Sequence, residues 1–320
     1  MKTALADILL RKGFITPLER ENIEHGRPLS LHWDLRSLLY LGILLVTTAV
    51  GILIYKNIDT IGHDVLLVII SILAVTCFSW CFKQSTGYQH TKINAPAIWP
   101  DYILLGGCLL LLTLVGYAQF QYYFFGDRWG LALFIPMVLL FMTAYYFDHL
   151  GVLSLAITNL AAWAGVAITP ATILQQGNFN EEKVMFTGLF LGVLLLALSA
   201  LSTFRKIKAH FAFTYANFGI HLLFISMLAI LFHYDGFYLP LFLLLSLMVF
   251  WLYKSAIKES SFYFLVLSLL YFYIGLSYVV IRLFSIDTMA SVYGIILYFI
   301  FSGIGLIVAF KSLQKKINSK

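Results

Sequence analysis

Ten runs of apolar residues follow one another between Leu35 and Phe310. Each is close to the ~20 residues that a helix needs to cross hydrocarbon. They span Leu35–Tyr55, Val65–Phe82, Tyr102–Phe120, Trp129–Phe147, Leu150–Ile168, Val184–Phe204, Phe211–Phe232, Phe237–Tyr253, Phe262–Phe284 and Met289–Phe310. Composition agrees. Only 11% of residues are charged, against about 25% in a soluble domain. The expected fold class is all-α: a polytopic transmembrane helical bundle of about ten spans, residues 35–310. A segment of soluble character, 1–34, precedes it, and a short cationic tail, 311–320, follows.

In segment 1–34, Leu5, Ile8 and Leu9 recur at helical spacing, and Gly13 can end that helix. Thr16-Pro17-Leu18-Glu19 reads as a second start, with an N-cap, a proline at the first helical position and a capping glutamate. Gly26-Arg27-Pro28 stops it. The prediction is a small helical hairpin lying on the membrane surface or against the spans. A DNA-binding reading fails, since the second helix has mixed charge and no third helix completes a domain. There is no uninterrupted apolar signal region in the first 30 residues, so this segment is expected to be retained.

The net charge of +6 is distributed as membrane insertion distributes it. With the N-terminus inside and spans assigned alternately, the inner segments collect 17 of the 21 Lys and Arg residues. Only Lys56, Arg128, Lys183 and Arg282 fall outside. Both termini are therefore expected in the cytoplasm. The weakest join is Asp148-His149, the one interruption between spans four and five. Merging those spans would send the cations downstream to the wrong side, so a tight cytoplasmic hairpin is predicted there. Asp148 is expected to cap span five, with both residues held in water.

The best candidate for chemistry is a stripe that begins beside the cluster Arg205-Lys206-Ile207-Lys208. His210, Thr214, Asn217 and His221 are spaced by four, three and four, one helical face. His221 lies about 15 Å into span seven, near the middle of a ~30 Å hydrocarbon core. Asn159 in span five is at matching depth. An ionisable residue at midplane marks a functional site by default. Asn159, His210, Thr214, Asn217 and His221 are thus candidates for a substrate or proton pathway. The plain alternative is packing, because Asn and His also join membrane helices by hydrogen bonds.

Other features carry less. Carboxylates and imidazoles of the outer loops, among them Glu182, His233 and Asp235, read as solvated charges. Gly188/Gly192, Ala161/Gly165 and Gly305/Ala309 are small-residue pairs that permit close helix contact. The 28 Phe and 19 Tyr read as lipid contact and interfacial belts. Cys77, Cys81 and Cys108 show no metal or redox spacing and read as buried hydrophobes. No metalloprotease, serine-hydrolase, P-loop or dinucleotide motif occurs.

Lys12-Gly13-Phe14-Ile15-Thr16-Pro17, Leu38-Leu39-Tyr40-Leu41-Gly42-Ile43 and Tyr55-Lys56-Asn57-Ile58-Asp59-Thr60-Ile61 resemble the opening motifs of one family. It is the domain of unknown function 2157 family of predicted bacterial membrane proteins, with Ile58 where the family has Trp. The resemblance covers the first ~80 residues and implies a bacterial inner-membrane protein without supplying an activity. The functional expectation is a non-enzymatic carrier or permease-like protein with a midplane polar site and no cofactor or metal. The alternative is a scaffold or regulatory subunit that contacts a membrane partner, a second copy or anionic lipid. The bilayer is the expected surrounding, and nucleic acid is not an expected partner.

Overall fold

The computed structural model describes residues 31–56, 62–85, 87–91, 99–168, 182–259, 261–284 and 289–318. The predicted hairpin of segment 1–34 therefore lies almost wholly outside the described residues. Ten α-helices follow in order: α1 Leu31–Lys56, α2 His63–Gln84, α3 Trp99–Tyr122, α4 Trp129–Phe147 and α5 Leu150–Ile168, then α6 Glu182–Arg205, α7 Ala212–His233, α8 Tyr238–Lys258, α9 Phe262–Leu283 and α10 Met289–Asn318. Short 3-10 turns at Ala209–Phe211 and Asp235–Phe237 lead into α7 and α8. The fold is an all-α polytopic bundle. Among the described residues, nine helices are long and apolar enough to cross a membrane, and α1 adds a shorter apolar stretch, Ser37–Ile52. Several helices extend past the expected ends of their apolar runs. α1 begins at Leu31, inside the expected soluble segment, and α10 continues through Lys311 to Asn318.

The chain divides into two compact units: residues 1–84 with 96–114, and residues 85–95 with 115–320. In the first, α2 and the start of α3 approach closely. A Cβ on Gly107 would stand 3.0 Å from Cys77 Cβ. Cys81 and Cys108 are buried, as expected of small hydrophobes.

The second unit is built from three antiparallel hairpins, α4–α5, α6–α7 and α8–α9, with α10 laid on α9. α7 touches α5, α6, α8 and α9, and 56% of its span is buried, against 44% for α9 and none for α10. Its Phe224, Met227, Leu228 and Leu231 pack with Leu245 and Leu252 of α8 and Leu265 and Tyr271 of α9. In lipid this packing is held by close van der Waals contact, since tails are as apolar as leucine. Glycine makes the α6–α7 contact possible. A Cβ on Gly192 would stand 2.7 Å from the Leu223 backbone nitrogen, and one on Gly219 would be 3.1 Å from the Gly192 carbonyl oxygen. The Gly188/Gly192 pair is thus a packing surface. Among the described residues nothing lies within 4 Å of a Cβ built on Gly165 or Gly305, so neither glycine marks a close helix contact there.

Candidate functional site

Two polar clusters converge on α7. The first lies where the α6–α7 turn meets the α4–α5 turn. α4 ends because Asp148 takes a left-handed conformation, φ 62°, which Asp tolerates better than most residues. His149 then starts α5. Its backbone N–H returns to the Ala144 carbonyl at 3.1 Å, and its Nδ1 accepts from the Val152 N–H at 3.0 Å. Opposite, Lys206 and Lys208 are also left-handed, at φ 55° and 49°. Ser202 Oγ ties this turn down through the carbonyls of Ile207 and Lys208 at 2.8 and 3.0 Å. The Lys208 N–H donates to the His90 carbonyl at 3.0 Å.

This backbone drives the Lys208 ammonium inward. Its Nζ lies 2.8 Å from Asp148 Oδ1, with the two side chains 0% and 2% exposed. The contact is ionic. His210 Nε2 reaches the same oxygen at 2.7 Å. The Tyr88 ring stands 5.5 Å from Nζ, and Tyr145 and Tyr215 pair their hydroxyls at 3.0 Å nearby. The expectation that water holds Asp148 and His149 is overturned. His149 is 3% exposed, and the carboxylate is buried because it neutralises a buried lysine, the one arrangement in which either charge is tolerable away from water.

The second cluster is neutral and joins α7 to α9. His221 Nδ1 lies 2.6 Å from the Tyr271 hydroxyl, and Nε2 lies 3.0 Å from the Tyr263 hydroxyl. Tyr263 donates its proton to Asn217 Oδ1 at 2.6 Å. That assignment fixes the others. With its proton spent on Asn217, the Tyr263 oxygen accepts from His221 Nε2–H, and Nδ1 accepts from Tyr271 O–H. Tyr263 is 41% exposed at the start of α9, whereas Tyr271 is 8% exposed near its middle and stacked on Phe224 at 4.9 Å. The four side chains therefore run from an exposed helix end into the centre of a span.

The predicted stripe is divided between these clusters. His210 belongs to the 3-10 turn and faces Asp148, Thr214 is buried on α7, and Asn217 with His221 faces α9. Asn159 does not meet His221. Its Nδ2 donates to the Leu133 carbonyl of α4 at 3.0 Å. Tyr263 and Tyr271 were absent from the sequence candidates. Their signal was a spacing of eight, which returns to one helical face, together with the need of a buried tyrosine hydroxyl for a partner. Gln119 was also missed. It is fully buried and clamps the α3–α4 turn, donating to the Gly126 carbonyl at 2.7 Å and accepting from the Phe125 N–H at 2.9 Å.

At the opposite ends of these helices, His233 pairs with Glu182 at 3.5 Å. Arg282 pairs with Asp235, which also accepts from Tyr278 at 3.0 Å. Among the described residues no three His, Cys, Asp or Glu side chains gather as a metal site.

The family model described as Predicted membrane protein (DUF2157) matches residues 9–153. The match covers a little under half of the chain. It runs well beyond the opening motifs and ends just past the α4–α5 turn. Asp148 and His149 thus lie inside the matched stretch, whereas Lys208, His210 and the His221 cluster lie beyond it. No curated protein and no solved structure matches the chain. What the family establishes is a membrane protein, and it names no activity.

Proposed function

We propose that this protein is a non-enzymatic carrier of the bacterial inner membrane, with both termini in the cytoplasm and Asn217, His221, Tyr263 and Tyr271 as its polar site. One observation carries the reading. An imidazole uses both ring nitrogens on phenols, one at an exposed helix end and one deep in a span. Such a chain can accept a proton or a polar group at its outer member and hand the hydrogen-bond order inward without stranding a fixed charge in lipid. The bias of Lys and Arg toward alternate loops supports the orientation. A scaffold role is the competing reading. It is favoured by α10, whose span buries no residue, and a stoichiometric partner that co-purifies would support it.

Cysteine accessibility tests the carrier reading. Cys77, Cys81 and Cys108 are replaced by Ala, and single cysteines are placed at Tyr263, Asn217, His221 and Ile225. Inverted and right-side-out vesicles are then treated with a membrane-impermeant thiol reagent. Labelling of the first three from the inner side, with Ile225 silent, is the expected result. Labelling that stops at position 263 makes the cluster a packing device and removes the main support for a carrier.

A further inference from the structure

We propose that α6, α7 and α8 form a binding site for an anionic glycerophospholipid, one acyl chain lying in a groove and the phosphate held by Lys254 and Lys258. The groove is a cavity of about 250 Å³ lined by Leu196, Ile220, Leu223, Leu247, Met248 and Trp251, with Phe224 completing its wall. No polar side chain lines it, so its complement is hydrocarbon. A groove of this kind on a membrane helix is filled by a lipid tail, because an unfilled one forfeits van der Waals contact along its length.

The charge pattern on α8 selects the headgroup. Leu247, Trp251, Lys254 and Lys258 follow at steps of four, three and four, one stripe of one helix. All four are exposed. The apolar members and Trp251 line the groove, and the two lysines continue the same stripe to the end of the helix. Lys254 rests its ammonium 4.5 Å from the centre of the Phe250 ring. From Lys258 to Leu247 the stripe rises about 16 Å, close to half of a ~30 Å hydrocarbon core. That is the reach of one acyl chain below its phosphate. Tryptophan belongs at that boundary, and each lysine near an anionic surface adds attraction. A tail in the groove also touches Phe224, whose ring stacks on Tyr271 at 4.9 Å and 13°. An occupied groove thus buttresses the residue that bonds His221. Lipid binding here does not require the chain to be a carrier.

Trp251 supplies the probe. In a variant whose other five tryptophans are phenylalanine, Trp251 fluorescence is titrated in nanodiscs with phosphatidylglycerol or phosphatidylcholine brominated at mid-chain. Half-quenching is expected at a several-fold lower mole fraction of the anionic lipid. K254Q/K258Q is expected to erase that difference, and inorganic phosphate is expected to leave it unchanged. Equal quenching by the two lipids overturns the assignment, as does a preference that survives K254Q/K258Q. Should the single-tryptophan chain fail to fold, native mass spectrometry of the wild-type chain and K254Q/K258Q counts retained lipid. Equal retention of anionic lipid by the two proteins overturns the site.

Discussion

At the α6–α7 turn one carboxylate oxygen of Asp148 serves two basic side chains, Lys208 and His210. Further along the same helix, His221 stands between two phenols and no member of the group bears a fixed charge. The first cluster is held by backbone. Three left-handed residues, a buried serine and a carbonyl from the 85–95 segment fix where the charges must meet. The second is held only by side chains across the α7–α9 interface, and its most exposed member opens at a helix end. Separating a buried ion pair leaves an uncompensated charge away from water, so the two turns resist rearrangement. A neutral hydrogen-bonded group can exchange partners at little cost. The contrast separates a part suited to hold the bundle from a part suited to change state.

The comparison is broken most severely by removing one charge. Lys208→Met leaves the buried Asp148 carboxylate with His210 as its basic partner and should lower stability by up to about 3–5 kcal/mol, whereas Asp148→Leu with Lys208→Met should recover most of that loss. Unfolding of the purified protein in mixed micelles measures both. If the single variant is as stable as the wild type, the cluster is wet and the ionic half of the contrast fails.

The next effect separates the two clusters through α6. Gly192→Leu has no space, since even a Cβ there would stand 2.7 Å from the Leu223 nitrogen. Overpacking of this kind costs about 1–3 kcal/mol. It should push α6 from α7 and disturb the turn that Ser199 and Ser202 tie down through Ala212, Ile207 and Lys208. An engineered cysteine at His210 should then label faster, and one at His221, on the α9 side, should label as before. Equal acceleration at both positions would show that the clusters are one mechanical unit. Replacing His221 by Phe removes two hydrogen bonds and should cost a comparable amount, about 0.6–2 kcal/mol for each.

Much of this was legible in the sequence. Hydropathy located the helices because lipid demands an unbroken apolar run of about 20 residues, and the two-residue break at Asp148-His149 survived in three dimensions as the α4–α5 turn. The polar stripe marked α7, the most buried helix of its unit. Its division did not show. The 3-10 turn at Ala209–Phe211 swings His210 toward α4, and periodicity assumes one continuous helix. The burial of Asp148 did not show either, since it depends on Lys208, 60 residues away in the chain, adopting a left-handed backbone that lysine seldom takes. Tyr263 and Tyr271 were hidden among 19 tyrosines whose ordinary place in such a chain is the interface.

The smallest expected energy belongs to the most informative substitution. Tyr271→Phe keeps the stack on Phe224 and removes one hydroxyl, so stability should fall by only about 0.6 kcal/mol. The proton order of the cluster should respond far more. In the wild-type chain Tyr271 donates to Nδ1, which leaves the ring proton on Nε2 facing Tyr263. Without that donor only the Tyr263–Asn217 bond keeps the ring proton on Nε2, and Tyr263 is free to turn its own proton toward Nε2. Nitrogen-15 spectra of His221 should therefore pass from one tautomer to a mixture of two. A spectrum that keeps the single Nε2–H form would mean that Asn217 and Tyr263 alone set the order. The relay would then end at His221, and the deep hydroxyl would serve packing rather than proton order.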